Sequence, residues 1–561
     1  MAISPSTPAP DEADAESARA PVGGGDLAVE LDPMQISAGL GDLASPGALA
    51  GELPRFMSEL AGIAVGASDI EFAERDKRFA DPSWRHNPFY RRVGQSYLAW
   101  AKMVERLADN PALSWERRAR SKYLAQLLVA ALAPTNTLPG NPGAIKRAFE
   151  TGGVSLFRGM QNFWRDMATN HGMPSMVDRT PYTVGENLAA TPGAVVHREE
   201  MFELVQFAPS TTRVRSRPLL MVPPQVNKHY FLDLAPGRSL VEYTVAQGIQ
   251  FFSIVWRNPQ EALGHGSWGM EDYIEAQLRA TDIVREIAGT DDLNLLGACA
   301  GGLSSTLMLG HLAALGDHRV HAIGFVVTMV DTRYPTNIRM MAGPGIRGRL
   351  AKDADRGAVY DRSDVARNFA LMRADDLIFQ YVVNNWLLGD EPPAFDILAW
   401  NVDATNLTAA FDRDMLELYS DNRAAPPGGV TVLGTPVDLA KVDCDNLVVA
   451  GLTDHITPWK PCYMTSQLLG GDSEVIVTST GHIQSVVNPP GKPRARYWGG
   501  LEPGPDPDEW MAAAPQHEGS WWPVWAEWIN ARSGPAKNAP RRLGNRSHPP
   551  GDPAPGRYVL E

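Results

Sequence analysis

Leu293-Asn-Leu-Leu-Gly297-Ala298-Cys299-Ala300-Gly301-Gly302 reads as a short apolar strand running into a tight turn and the start of a helix, with a cysteine at the apex. This is the pattern of a nucleophile elbow with Cys in place of Ser. The glycines two residues either side of Cys299 answer a physical requirement, because the strand doubles back into the helix there and a side chain at either position collides with the turn. Such a turn lifts the sulfur off the sheet. It also aims the Ala300 amide at the place where a carbonyl oxygen becomes an oxyanion. A buried, inert thiol is the common fate of a free cysteine, so the five-residue box alone leaves both readings open.

The flanks favour the elbow. Residues 272–288 place Ile274, Leu278, Ile283 and Ile287 at helical spacing, and Gly289-Thr-Asp-Asp292 stops that helix ahead of the Leu-rich strand. Residues 303–315 read as a second amphipathic helix. Further apolar runs at 219–222, 249–255, 323–328, 447–451 and 474–478 predict buried strands, several separated by helical stretches, and hence a largely parallel sheet. An α/β-hydrolase arrangement then requires an acid after a later strand and a histidine after the next, in that chain order. Asp454 follows the strand 447–451, and His482 follows 474–478. His482 is positioned to take the thiol proton and hold the thiolate as an ion pair, which makes a cysteine a strong nucleophile near neutral pH. Asp454 either orients that imidazole or acts on a second, hydroxyl-bearing substrate. His455, directly after the acid, fits a supporting role better than that of the base. The loop Pro223-Pro-Gln-Val-Asn-Lys228, after an early strand, is the expected source of the second oxyanion donor. Its amides, that of Val226 among them, can face Cys299, and its two prolines stiffen it.

Other segments carry a more specific signal: Asp81-Pro-Ser-Trp-Arg-His-Asn-Pro88-Phe-Tyr90, Ala133-Pro-Thr-Asn136, Glu150-Thr-Gly-Gly153, Val184-Gly-Glu-Asn187, Thr191-Pro-Gly-Ala194 and Trp256-Arg-Asn-Pro259. Trp400-Asn-Val-Asp403-Ala-Thr405-Asn406, Asp454-His-Ile-Thr-Pro-Trp459, Ser479-Thr-Gly-His482-Ile-Gln484 and Gly519-Ser-Trp-Trp-Pro-Val-Trp525 add to them. With the elbow and the loop 223–228, these segments resemble the polyhydroxyalkanoate synthases of the single-subunit type (class I/II), cysteine acyltransferases that polymerise 3-hydroxyacyl-CoA. The resemblance implies that Cys299 bears the growing polyester, that His482 activates it and that Asp454 assists the incoming 3-hydroxyl. It implies (R)-3-hydroxyacyl-CoA as substrate, release of coenzyme A, and no metal or other cofactor. It further implies a homodimer in the cytoplasm, associated with the surface of polyester granules. Gly297-Ala298 ahead of the nucleophile is similar to the medium-chain branch. One departure is that the chain reads Leu-Thr-Ala after Asn406, where the family carries a proline-containing turn; this bears on the shape of the lid near Trp400.

A length of 561 residues exceeds one comfortable core and favours two domains plus tails. Residues 1–41, rich in Ala, Pro, Gly, Asp and Glu and without aromatics, predict a disordered tail. Residues 42–200 predict a mainly helical N-terminal domain, with amphipathic helices around 115–132 and 153–167 that either meet the polymer surface or pack on the core. Residues 201–561 predict the catalytic α/β-hydrolase domain, with a cap insertion at about 330–440 and a Pro- and Arg-rich tail from about 533 whose Tyr558-Val-Leu560 tip can dock. A cap over a thiolate excludes water, and an acyl-enzyme open to water hydrolyses. The chain start lacks a cationic segment followed by an apolar core, and no window approaches the roughly 20 apolar residues of a membrane span. Cys299, Cys444 and Cys462 form no CxxC and point to a reducing compartment, the last two reading as packing residues. A net charge of −14 argues against nucleic acid. Two other readings compete, a polyester depolymerase or thioesterase of the same fold and a non-catalytic granule-associated protein. The complete Cys299, Asp454 and His482 set weighs against the latter, and the cap with the whole-chain resemblance against the former.

Overall fold

The computed structural model describes residues 33–74 and 76–561. The N-terminal region is helical: α1 (Pro33–Leu43), α2 (Pro46–Ala64), α3 (Pro88–Ala108), α4 (Trp115–Ala131) and α5 (Val154–Thr169) are its main elements. Phe79, Trp84, Tyr97 and Leu107 form a separate apolar core among them. α1 begins inside the stretch for which composition predicts disorder, and long-range contacts explain why. Gln35 Nε2 donates to the Met341 carbonyl at 3.1 Å, and Arg117 pairs with Asp42. The rest of that predicted tail, residues 1–32, lies outside the described residues.

The two helices singled out in the sequence behave differently. α4 is wedged between α1, α3 and the cap, so it is packed on several sides and is not an amphipathic surface helix. α5 is amphipathic as expected. Its polar side is fixed to the cap, where Asn162 Nδ2 donates to the Asn385 carbonyl at 3.1 Å and Trp386 Nε1 to Asp166 at 2.8 Å. On its other side Val154, Phe157, Met160, Trp164 and Met167 form a stripe at helical spacing, with Phe157 58% and Trp164 64% exposed.

The central sheet has ten strands, β1 (Gly193–Arg198), β2 (Phe202–Phe207), β3 (Leu219–Val222), β4 (Phe251–Trp256), β5 (Leu293–Ala298), β6 (Val320–Val326), β7 (Asp445–Gly451), β8 (Ser473–Thr478), β9 (Arg496–Trp498) and β10 (Gln516–Glu518). Their spatial order is β1-β2-β4-β3-β5-β6-β7-β8-β9-β10. The pairings from β4 through β8 are parallel. The two pairings at each edge are antiparallel, so the sheet is mixed. At one edge β9 is only three residues long and β10 is Gln-His-Glu and exposed throughout, so neither gives a hydrophobic reading. The sheet also starts earlier than residue 201, at Gly193.

Central strands are buried on both faces, and successive residues feed opposite cores: Leu295 and Val448 pack on one side, Leu296 and Val449 on the other. α6 (Met270–Ala288) and α7 (Ala300–Leu315) cover the first face, and α8 (Trp522–Arg532) the second, where Trp522, Trp525 and Trp528 are buried. α7 departs from the amphipathic expectation, being buried on every side from Ala300 to Leu312. The insertion after β6 is the reason, since its segment 431–441 lies over the outer side of α7 and a Cβ on Gly310 would stand 2.4 Å from Val437 Cγ1.

That insertion, between β6 and β7, forms the cap. The Leu-Thr of the unusual Leu-Thr-Ala segment makes a small antiparallel ladder, Leu407–Thr408 with Val359–Tyr360. The tail after residue 533 is ordered along the body: Ala536–Asn538 pairs with Arg213–Arg215, and Val195 exchanges hydrogen bonds with Gly551 and Asp552 at 2.8 and 2.9 Å. It thereby covers the open edge of β1. The tip docks, with Val559 buried and its carbonyl accepting from Lys228 Nζ at 2.6 Å. Among the described residues no helix is long and apolar enough to cross a membrane.

Candidate active site

Cys299 sits between β5 and α7 with φ 51° and ψ −122°, a sparsely populated positive-φ conformation that costs a non-glycine residue about 1–3 kcal/mol. Surrounding contacts hold it there. Its amide donates to the Val326 carbonyl at 3.0 Å, tying the turn to β6. A Cβ on Gly297 would lie 2.7 Å from Gly302 Cα, and one on Gly301 would lie 2.3 Å from the Val222 carbonyl oxygen. Both glycines therefore serve close backbone approach, as the elbow requires. Gly301→Ala is expected to push α7 away from the end of β3, costing about 1–3 kcal/mol of stability and most of the activity. A thermal melt with a rate assay checks this, and an unchanged rate contradicts it.

The same closeness brings the loop after β3 to the start of α7. Ala300, as first residue of α7, has an N–H without an intrahelical acceptor. The loop 223–228 is pinned at both ends: Trp256 Nε1 donates to the Pro223 carbonyl and Trp400 Nε1 to the Lys228 carbonyl, each at 2.9 Å. Between them Gln225 Nε2 donates to Ser304 Oγ on α7 at 3.0 Å, and Gln277 Nε2 of α6 reaches the same oxygen at 2.7 Å. Val226 lies buried on this loop.

Asp454 and His482 meet. Loops leaving the carboxyl ends of β7 and β8 are joined by a Thr453 N–H to Thr480 carbonyl bond of 3.2 Å, and His482 Nδ1 lies 2.6 Å from Asp454 Oδ2. Both side chains are almost wholly buried, at 2% and 0% exposure. The Ile456 and Thr457 amides donate to Asp454 Oδ1 at 2.9 and 3.0 Å, and Thr457 Oγ1 donates to Oδ2 at 2.8 Å. With both oxygens occupied, the carboxylate fixes the imidazole and leaves the Nε2 edge of the ring for chemistry. Burial opposes the charge on Asp454, but the adjoining His482 and the Ile456 amide hold its pKa below the ordinary value. Thr457 was missed in the sequence, although an Asp followed three residues later by Thr is a recognisable turn pattern.

Cys299 stands at the same edge of the sheet, at the end of β5, and shares a buried cluster with Ile483. His455 is not part of the pair. Burial lowers its pKa to about 4, so it is uncharged at neutral pH. His482→Ala is expected to cost on the order of 10²-fold or more in rate and His455→Ala much less; a reversed ranking in steady-state assays would transfer the role. Cys444 and Cys462 are also buried; burial pushes the Cys444 thiol up to about 12, and Cys462 Sγ lies 3.4 Å from the Thr457 carbonyl.

A cavity of about 710 Å³ opens in front of His482, lined also by Thr453, His455, cap residues such as Met340 and Met372, and α4 of the N-terminal region. Its size suits a small organic ligand.

A mixed sheet that carries a strained elbow at Cys299, a later acid and then a histidine defines an α/β-hydrolase-fold protein. Residues 223–489 match the family model described as the alpha/beta hydrolase fold, and residues 75–244 that described as the poly-beta-hydroxybutyrate polymerase (PhaC) N-terminus. The chain is 44% identical over 506 residues to poly(3-hydroxyalkanoate) polymerase 1 of Ectopseudomonas oleovorans, covering 90% of each protein. It is 37% identical over 516 residues to the poly(3-hydroxyalkanoate) polymerase subunit PhaC of Cupriavidus necator, covering 90% of this chain and 87% of that protein. Among solved structures, the monoacylglycerol lipase of Paleococcus ferrophilus aligns with 59% of this chain and 99% of its own at 11% identity and a TM-score of 0.32. The chain belongs to the poly(3-hydroxyalkanoate) polymerase family, the polyhydroxyalkanoate synthases of single-subunit type.

Proposed function

We propose that this polymerase acts on (R)-3-hydroxyacyl-CoA through an acyl group held on Cys299. His482 takes the Cys299 proton, and the thiolate attacks the thioester carbonyl. The oxyanion is met by the amides of Ala300 and Val226. The carbon–sulfur bond to coenzyme A then breaks, and the departing thiolate takes the proton back from His482. In the second step the 3-hydroxyl of another hydroxyacyl-CoA gives its proton to His482 and attacks the Cys299 thioester. An ester forms, the Cys299 thiolate leaves, and the lengthened chain returns to Cys299 with release of one coenzyme A per unit added. Asp454 holds the imidazole through both steps.

The observation that carries this reading is the buried Asp454–His482 contact of 2.6 Å, with the strained Cys299 elbow at the end of β5 in the same sheet, in a member of a polymerase family. Purified protein supplied with 3-hydroxybutyryl-CoA and, separately, 3-hydroxydecanoyl-CoA tests it. Coenzyme A release accompanied by polymer is expected, whereas free 3-hydroxy acid in step with coenzyme A would make the protein a hydrolase.

The bare apolar stripe on α5 supports attachment to the polyester granule, a water-excluding surface on which Phe157 and Trp164 lose their contact with water. Phe157→Asp combined with Trp164→Asp should move the protein from the granule fraction to the supernatant while leaving the initial rate on soluble substrate within about 3-fold. The variant remaining with the granules would remove α5 from that role.

A further inference from the structure

We propose that α4, an element of the N-terminal region, forms a wall of the acyl pocket. Its face carrying Ala119, Tyr123 and Leu127 sets how large a 3-alkyl side chain the enzyme accepts. These residues recur at every fourth position and line the same cavity as His482. The rest of α4 is packed against α1, α3 and the cap. Met340 and Met372 of the cap stand among the other apolar linings. The cavity is thus built from three parts of the chain that are far apart in sequence.

The inference rests on the reaction proposed above. There the incoming 3-hydroxyl must reach His482 on the ring edge that Asp454 leaves free. The carbon bearing that hydroxyl also bears the alkyl substituent. The substituent therefore begins one bond away from the site of proton transfer and must run into the space in front of His482. That space is bounded by α4, so bulk on the α4 face competes directly with substrate bulk. A single methylene in such a pocket changes discrimination by about 10-fold or more.

Leu127→Trp and Ala119→Phe narrow the cavity, and Leu127→Ala widens it. Initial coenzyme A release from 3-hydroxybutyryl-CoA and 3-hydroxydecanoyl-CoA is compared for each full-length variant, with a thermal melt alongside. The narrowing variants are expected to lose about 10-fold or more in kcat/KM for the decanoyl substrate and to stay within about 3-fold for the butyryl one. Leu127→Ala should shift the ratio the other way. Equal losses on both substrates, or an unchanged ratio in a variant that melts normally, would overturn the wall. If Leu127→Trp fails to fold, Ala119→Phe and Leu127→Ala decide by the same ratio. A wild-type protein that releases no coenzyme A from either thioester would instead overturn the reaction on which the wall depends.

Discussion

Cys299→Ala is expected to release no coenzyme A above background, a loss on the order of 10³-fold or more. No other sulfur can replace it: Cys444 is buried with a thiol pushed up to about 12, and Cys462 is buried with its Sγ 3.4 Å from the Thr457 carbonyl. Cys299→Ser should retain at most a trace, because a hydroxyl holds its proton far more tightly than a thiol, and an imidazole that can deprotonate the more acidic thiol draws little alkoxide from serine. Alkylation of native protein should mark Cys299 first, and preincubation with 3-hydroxyacyl-CoA should protect it. Full turnover by the alanine variant would remove Cys299 from the chemistry, and equal labelling of the three cysteines would remove its special reactivity.

Asp454→Asn should separate the two halves of the cycle. The substitution replaces an oxygen that accepts from Thr457 and His482 with an amide, so the imidazole loses its fixed tautomer. The first acyl transfer needs only a thiolate, a small fraction of which exists near neutral pH without help. Chain transfer needs the proton of an alcohol, and that step depends fully on a well-held base. The variant should therefore give a burst of coenzyme A comparable to the enzyme present, followed by elongation slowed by about 10²-fold or more. Mass spectrometry of the intact protein after one addition of substrate should find a short acyl chain on Cys299. Absence of both burst and adduct in a variant that melts normally would mean that Asp454 is needed equally for thiol activation.

The elbow was legible from 293–302 because its constraint is local: a strand, a turn too tight for side chains at Gly297 and Gly301, and a helix follow one another within ten residues. Asp454 and His482 were legible for a related reason, since chain order and strand ends suffice to place them at one edge of a parallel sheet. The edge strands were not legible. β10 is exposed and polar, and only its pairing with β9 makes it a strand. α1 lies in a composition that reads as disordered, and its order comes from partners as distant as Met341.

The sequence by itself determined the fold class, the elbow at Cys299 and the chain order in which Asp454 and His482 follow it, because those depend on periodicity and on turns that neighbouring residues impose. Only the tertiary structure decided what each partner touches. It assigned both oxygens of Asp454 to Thr457, two amides and His482, and left His455 out of the pair. It buried α7 on the side that its sequence suggested was free, and set α4 and α5, two helices of similar appearance, one beside the cavity and the other facing solvent. Packing between segments more than a hundred residues apart makes these choices, and no local pattern in either segment carries information about its partner.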